Sequence, residues 1–124
     1  MHTNPVTWFE IYVEDMNRAR KFYEAVFDCT LIPEENGHDL EIFQFPGSMP
    51  GNGAMGALIK HPMRPPSNEG TIIYFHCENS AASASLVCEH GGQIFRERMK
   101  VGDDGFIVIV GDTEGNAFGL HSFN

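Results

Sequence analysis

The sequence is poor in basic residues and has no long hydrophobic run. It has 8 Lys and Arg against 17 Asp and Glu, and its formal net charge is −9. Because such a chain repels phosphate backbones and anionic membranes, we expect no nucleic-acid or membrane partner. No apolar run reaches the roughly 20 residues of a membrane span, and the first residues lack the pattern of a signal peptide. These absences predict a cytoplasmic protein.

Cysteine is also scarce. Cys29, Cys77 and Cys88 make an odd number, with no CxxC motif and no Cys/His spacing. This pattern indicates neither a disulfide framework nor a structural zinc site. What is present is an ordinary globular composition, 42% hydrophobic and 20% charged, in 124 residues, enough for one core. We therefore expect a single domain over residues 1–124.

The chain contains an internal repeat. An alternating β-rich segment, Glu10–Asp15, is followed by Met16–Phe27, where apolar residues recur at helical spacing and Asp15 can cap the first turn. Tyr74–Asn79 and the helical segment Ser80–His90 repeat this order. Asn79 stands where Asp15 stood, an offset of 79 − 15 = 64. Each half therefore begins with strand, cap and helix.

The ends of the two halves also match. Ala54–Leu58 resembles Ala117–His121, and Gly119 aligns with Gly56 at an offset of 119 − 56 = 63. Short β-like runs lie between helix and end, at 30–33, 41–45, 93–95 and 106–110. The sequence thus predicts an α+β fold of two tandem βαβββ modules that form a curved mixed β-sheet around a cavity. The first module covers about 1–60, a proline-rich linker about 61–69, and the second module about 70–124.

The alternation of strand residues predicts which side chains line the cavity. Phe9, Ile11 and Val13 form an apolar face suited to lie under the helix, so the residues between them face the other way. The same alternation turns Phe118 and Leu120 of the last strand toward the helix. The candidate substrate-binding residues on the cavity side are Trp8, Tyr12, Leu58, Tyr74 and His76.

Glu10 and His121 are the candidate catalytic pair. Partial burial of Glu10 beside two aromatic residues would raise its pKa toward that of a general base, with His121 or His76 stabilising the anion formed. Alternatively, Glu10 and His121 form a hydrogen-bonded pair that only holds the modules together, or join His76 in a metal site. Trp8 either stacks on a planar ligand or fills the space of a lost metal.

Six segments spread over the chain form a recognisable set: Val6–Asp15, Arg18–Ala19, Phe22–Phe27, Gly70–Phe75, Gly91–Gly92 and Asp112–Asn116. With them the chain resembles the vicinal-oxygen-chelate superfamily of glyoxalases, bleomycin-resistance proteins and dioxygenases. The resemblance implies paired βαβββ modules around a cavity, often in a homodimer. In members such as glyoxalase I, the first and last strands of each module bind a divalent metal.

The resemblance places those metal-binding positions at Trp8, Gly56, Ile72 and Gly119, and none of these side chains can bind a metal. We therefore expect neither metal nor other cofactor. Two functions follow: a metal-free lyase or isomerase that uses Glu10 and His121 on a small organic metabolite, or a non-catalytic protein that sequesters a small molecule, as resistance proteins do. A metal-dependent lactoylglutathione lyase or dioxygenase is a weaker third.

Overall fold

The computed structural model describes residues 4–35, 40–47 and 53–124, which form two helices and eight strands. Both halves have the order β-α-β-β-β, so the predicted α+β fold class is confirmed. No helix in these three ranges is long and apolar enough to cross a membrane. The elements are β1 (Trp8–Tyr12), α1 (Met16–Phe27), β2 (Ile32–Pro33), β3 (Glu41–Gln44), β4 (Met55–Lys60), β5 (Tyr74–His76), α2 (Ser80–Glu89), β6 (Gln93–Lys100), β7 (Phe106–Gly111) and β8 (Ala117–Ser122).

Both helices begin at the predicted caps. The Asp15 carboxylate accepts a hydrogen bond of 3.0 Å from the Arg18 backbone N–H, and the Asn79 side chain accepts one of 3.1 Å from Ala82. Such caps satisfy N–H groups that a helix leaves without partners. α1 then buries an apolar stripe that includes Phe22 and Tyr23. The offset of 64 between the two helix starts is therefore confirmed.

The strands form two four-stranded mixed sheets rather than one continuous sheet. Their orders are β1-β4-β3-β2 and β5-β8-β7-β6. In each sheet the first strand pairs in parallel with the last, and the remaining pairs are antiparallel. β1 and β5 therefore lie at sheet edges.

An aromatic core joins the two halves. Phe27 of α1 lies 4.5 Å from Phe75 of β5 between ring centroids, and Tyr23 lies 5.6 Å from Phe118 of β8. Aromatic pairs at such distances contribute beyond the area they bury. The helix-side core therefore packs both modules together.

Leu58 is in this core, so its prediction as a substrate-binding residue was wrong. It is fully buried on β4 and pairs in register with Ile11, whose side chain faces the helices. Because partners in register point to the same face, Leu58 also points away from the predicted cavity side.

The predicted offset of 63 in the last strands was also wrong. Glu10 pairs with Ala57, whereas its equivalent Tyr74 pairs with Gly119, so the offset there is 119 − 57 = 62. A side chain at Gly56 would meet the Phe9 ring on the helix side, whereas one at Gly119 would meet the Tyr74 ring on the opposite side. The two glycines therefore lie on opposite faces and are not equivalent.

A buried polar network also ties the halves together. Asp112 and Glu114 lie in the turn between β7 and β8, and both are more than nine-tenths buried. The Tyr23 hydroxyl of α1 donates a hydrogen bond of 2.6 Å to Asp112. Glu114 accepts from the backbone N–H groups of Glu14 and Asp15 at 2.9 and 2.8 Å. A turn of the second module thus completes the helix start of the first.

Candidate functional site

Three side chains of β1 lie together on the face turned away from the helices. The Trp8 indole N–H donates a hydrogen bond of 3.1 Å to Oε2 of Glu10, and the Tyr12 hydroxyl donates one of 2.6 Å to Oε1. They are two residues apart on one strand, so the period of two brings them to one face. We call this group the β1 triad. Its position on the predicted face is confirmed.

The expectation that Glu10 has a raised pKa was wrong. The hydrogen bond from Tyr12 and that from Trp8 lower the pKa of Glu10 below its ordinary value, against a smaller effect of burial. Arg64 also lowers this pKa electrostatically. Burial and the bond to Glu10 raise the pKa of Tyr12. Glu10 is therefore an ionised acceptor at neutral pH, with both oxygens already hydrogen-bonded.

The fluorescence of Trp8, the single tryptophan, should show how the β1 triad responds to acid. We expect its fluorescence to change as Glu10 takes up a proton, with a midpoint below the ordinary value of 4.5, because Glu10 has a lowered pKa. Fluorescence titration from pH 7 to 2.5 measures this, with circular dichroism at each step to define the range in which the protein stays folded, and within that range Glu10→Gln should abolish the change. A midpoint above 4.5, or the same titration in the variant, would contradict it.

The predicted residues of the second module form a separate group on β5 and β8. His76 and His121 are partners in register, with ring centroids 6.4 Å apart. His121 Nε2 donates a hydrogen bond of 2.5 Å to the Asp104 carbonyl, and the ring lies 4.8 Å from that of Phe123. Tyr74 is 48% exposed and covers Gly119.

The alternative that Glu10 and His121 form a hydrogen-bonded pair is not what the structure shows. Glu10 is bonded to its strand neighbours and His121 to Asp104. The aromatic core and the network at Asp112 and Glu114 are what join the modules. The catalytic roles of Glu10 and His121 stay predictions.

A small cavity adjoins the β1 triad where the two modules and the linker meet. Its volume is about 230 Å³, below the several hundred Å³ typical of sites that enclose a drug-sized ligand. It fits part of a ligand while the remainder lies on the neighbouring face. Both apolar and polar residues line it: Glu10, Ile11, Tyr12, Tyr23, Pro65, Ser67, Glu69, Thr71, Ile73, Asn116, Ala117 and Phe118.

Asn116 and Arg64 are site residues that the sequence reasoning missed. The Asn116 side chain donates a hydrogen bond of 2.8 Å to the Tyr12 carbonyl and thus fixes the end of β1 beside the cavity. The Arg64 guanidinium lies 5.9 Å from the centroid of the Tyr12 ring. Asn116 belongs to a segment, Asp112–Asn116, that was used only for the family resemblance. Arg64 lies in the proline-rich linker, and nothing in the pattern indicated that the linker returns to β1.

The residues at the family's metal-binding positions do not fit a metal. Gly56 faces the helices, and the residues beside it on the other face are Met55 and Ala57, which are neither imidazole nor carboxylate donors. Trp8 donates its only polar hydrogen to Glu10. Within residues 4–35, 40–47 and 53–124, no three His, Cys, Asp or Glu side chains group closely enough to hold an ion.

Comparisons with solved structures agree with this fold. Glyoxalase I from Zea mays superposes with a TM-score of 0.73 at 19% identity, over 94% of this chain and 45% of that one. TnmS3, an antibiotic binding protein from Streptomyces sp. CB03234, superposes with a TM-score of 0.68 at 21% identity, over 98% of both chains. At such identities the likeness shows the fold alone.

Sequence comparisons identify the family. CFP32 of Mycobacterium tuberculosis, whose name provisionally calls it a glyoxylase, is 24% identical over 120 residues, which are 95% of this chain and 44% of that protein. The chain spans less than half the length of the curated relatives it matches. The family profile described as Glyoxalase/Bleomycin resistance protein/Dioxygenase superfamily matches residues 5–120. The chain therefore belongs to the Glyoxalase/Bleomycin resistance protein/Dioxygenase superfamily.

Proposed function

We propose that this protein binds a small planar organic molecule at the β1 triad and the adjoining cavity, and that it does so without chemistry at Glu10. The observation that carries the proposal is the pair of hydrogen bonds by which Trp8 and Tyr12 are both anchored to Glu10. Trp8 is 38% exposed even so. Two aromatic rings are thus held in place beside a cavity and remain open to a ligand.

Anchored rings favour binding because less freedom is lost when the ligand arrives. An unrestrained side chain loses about 0.5–1.5 kcal/mol of entropy when it is immobilised at an interface. In the β1 triad the Glu10 carboxylate already restrains the rings on both sides. Such rings offer apolar area together with polar edges, which suits a flat ligand with one or two polar groups.

The state of Glu10 favours binding over proton abstraction. A general base works best with a pKa near the operating pH and with a free oxygen directed at the substrate. Glu10 has a lowered pKa, and both of its oxygens accept hydrogen bonds. Of the two functions considered from the sequence, non-catalytic binding is therefore the better supported. The description of TnmS3 as an antibiotic binding protein is in keeping with it.

The test uses a neutral probe and the only indole in the chain. Trp8 Nε1–H gives a single resonance in a ¹H–¹⁵N correlation spectrum, and titration with 2-naphthylmethanol should shift it in a saturable manner. Trp8→Ala should weaken binding of the probe about two- to tenfold in calorimetry, because it removes a stacking partner that contributes about 0.5–1.5 kcal/mol. No saturable shift and no heat with this or related planar alcohols would refute the proposal.

Ile32→Ala is the matched control. Ile32 is 54% exposed on β2, at the edge of the first sheet opposite β1. Its loss removes exposed apolar area without touching the β1 triad. We expect its affinity for the probe to equal that of the wild type, and an equal loss in both variants would mean that the probe binds apolar surface nonspecifically.

The proposal also covers the oligomeric state, the partners and the location of the protein. We propose a homodimer, because Phe95 and Phe123 of the second module expose aromatic area that a second copy could cover. A cytoplasmic location and the absence of a nucleic-acid partner stay predictions from charge and composition. The absence of a cofactor and the roles of Tyr74 and His76 in binding also stay predictions.

A further inference from the structure

The β1 triad presents a negative charge that the described part of the chain does not neutralise by direct contact. Glu10 receives hydrogen bonds from an indole and a phenol, which are both uncharged donors. The ion pairs found in the described ranges are Arg18 with Glu114 and Arg20 with Glu24, so Glu10 takes part in neither. Trp8 and Tyr12 thus fix in place a carboxylate that takes part in neither of these ion pairs, and Arg64 and His61 act on it electrostatically without forming one.

The surroundings of this carboxylate favour positive charge. The cavity next to it is lined by a second carboxylate, Glu69, and no Lys, Arg or His lines it. Aromatic faces attract cations within about 6 Å of the ring centroid, and the whole chain carries a net charge of −9. Each of these effects lowers the energy of a cation and raises that of an anion at the same point.

The protein itself already places a cation on this face. The Arg64 guanidinium lies 5.9 Å from the centroid of the Tyr12 ring, at the limit of a cation–π contact, and it makes no salt bridge with Glu10. The linker thus brings one positive charge near the β1 triad without filling the position between the rings. This is independent evidence, beyond the acidic lining, that positive charge is stable at Tyr12.

We propose that the ligand of the β1 triad is an organic monocation, a protonated or quaternary amine on a planar apolar body, whose charged nitrogen binds at Glu10. The nitrogen enters the cavity rim beside Tyr12, and the flat body stacks on Trp8. This inference rests on the proposed function and adds the charge of the ligand to it. Arg64 acts as a competing cation that the ligand displaces or tolerates.

Three naphthalenes that differ only in charge provide the test at pH 7. They are 2-naphthylmethylamine as cation, 2-naphthylmethanol as neutral probe and 2-naphthoate as anion, titrated by calorimetry with the Trp8 Nε1–H resonance as the site-specific readout. We expect the amine to bind at least fivefold more tightly than the alcohol, and the naphthoate more weakly than both. Glu10→Gln should bring the affinity for the amine down to that for the alcohol.

Two further variants separate local from overall charge. Glu97→Gln removes the same unit charge from β6, outside the cavity lining, and should leave the preference for the amine unchanged. Arg64→Gln should increase the affinity for the amine two- to fivefold, because it removes the competing charge. Equal affinities of amine and alcohol, with a saturable Trp8 shift for both, would overturn the inference and leave the proposed function standing. Absence of binding by all three compounds would overturn both.

Discussion

Asp112→Ala is expected to lower the free energy of unfolding by about 3–5 kcal/mol. Asp112 is 4% exposed and accepts hydrogen bonds from the Tyr23 hydroxyl and from the backbone N–H groups of Glu114 and Asn116, at 2.6, 2.7 and 2.9 Å. Alanine would leave these buried donors without an acceptor, and each such loss costs about 1–3 kcal/mol. Chemical denaturation monitored by circular dichroism measures the change.

Tyr23→Phe provides the graded control for this prediction. It removes the hydroxyl and keeps the ring, so Asp112 retains its other donors. We expect a loss of about 1.5–3 kcal/mol, as for one hydrogen bond to a charged group. In the double variant the two losses should not add, because both remove the same bond. Additive losses, or a loss below 1 kcal/mol for Asp112→Ala, would show that the network does not stabilise the junction.

Glu114→Gln is expected to remove roughly 3 kcal/mol of stability at pH 7. Burial of Glu114 by itself opposes ionisation. The hydrogen bonds from Arg18, the Asp15 and Glu14 backbone and Thr113 outweigh it and hold the pKa of Glu114 at about 2. Its side chain has no solvent exposure. The difference from the ordinary value of 4.5 corresponds to roughly 3 kcal/mol, because each pKa unit is about 1.4 kcal/mol.

The same residue predicts how stability depends on acidity. Because the folded state lowers the pKa of Glu114, its contribution is complete above about pH 4.5 and is lost as the pH falls toward 2. Wild-type stability should therefore fall steeply between pH 4.5 and 2, and that of Glu114→Gln should fall less. Denaturation at half-unit steps of pH measures both. Parallel curves would contradict the prediction, and Glu97→Gln is the exposed control.

The fold could be predicted largely because its information is local. Asp15 and Asn79 each indicate a helix start from the few residues around them, and both caps form as predicted. The alternation along β1 is likewise local, and it brings Trp8, Glu10 and Tyr12 to one face. Because the chain repeats, the elements predicted for the first module also predict those of the second.

The errors in the strand predictions arose at residues whose type does not indicate which face of the sheet they occupy. Gly56 and Gly119 were aligned because both are glycines, and a glycine does not indicate which side of a sheet it occupies. The resulting shift of one residue exchanges the two faces of the strand. The same one-residue shift accounts for the wrong placement of Leu58. Its side chain could line a cavity or pack in the core, and it lies in the core.

Within the site, the sequence placed the residues but not their interactions. The pKa of Glu10 depends on how the Trp8 and Tyr12 side chains turn toward its carboxylate, which alternation does not determine. The roles of Asp112 and Glu114 were missed because their partners Tyr23 and Arg18 lie 89 and 96 positions away. A pattern confined to a few neighbouring residues contains no information about such partners.

The turn at Asp112 and Glu114 constrains the order of events during synthesis. The start of α1 is completed by Glu114, and the aromatic core under α1 includes Phe118 of β8. When the first module leaves the ribosome, these groups have not yet been translated. The helix start and the core under α1 therefore stay incomplete until the second half of the chain has emerged.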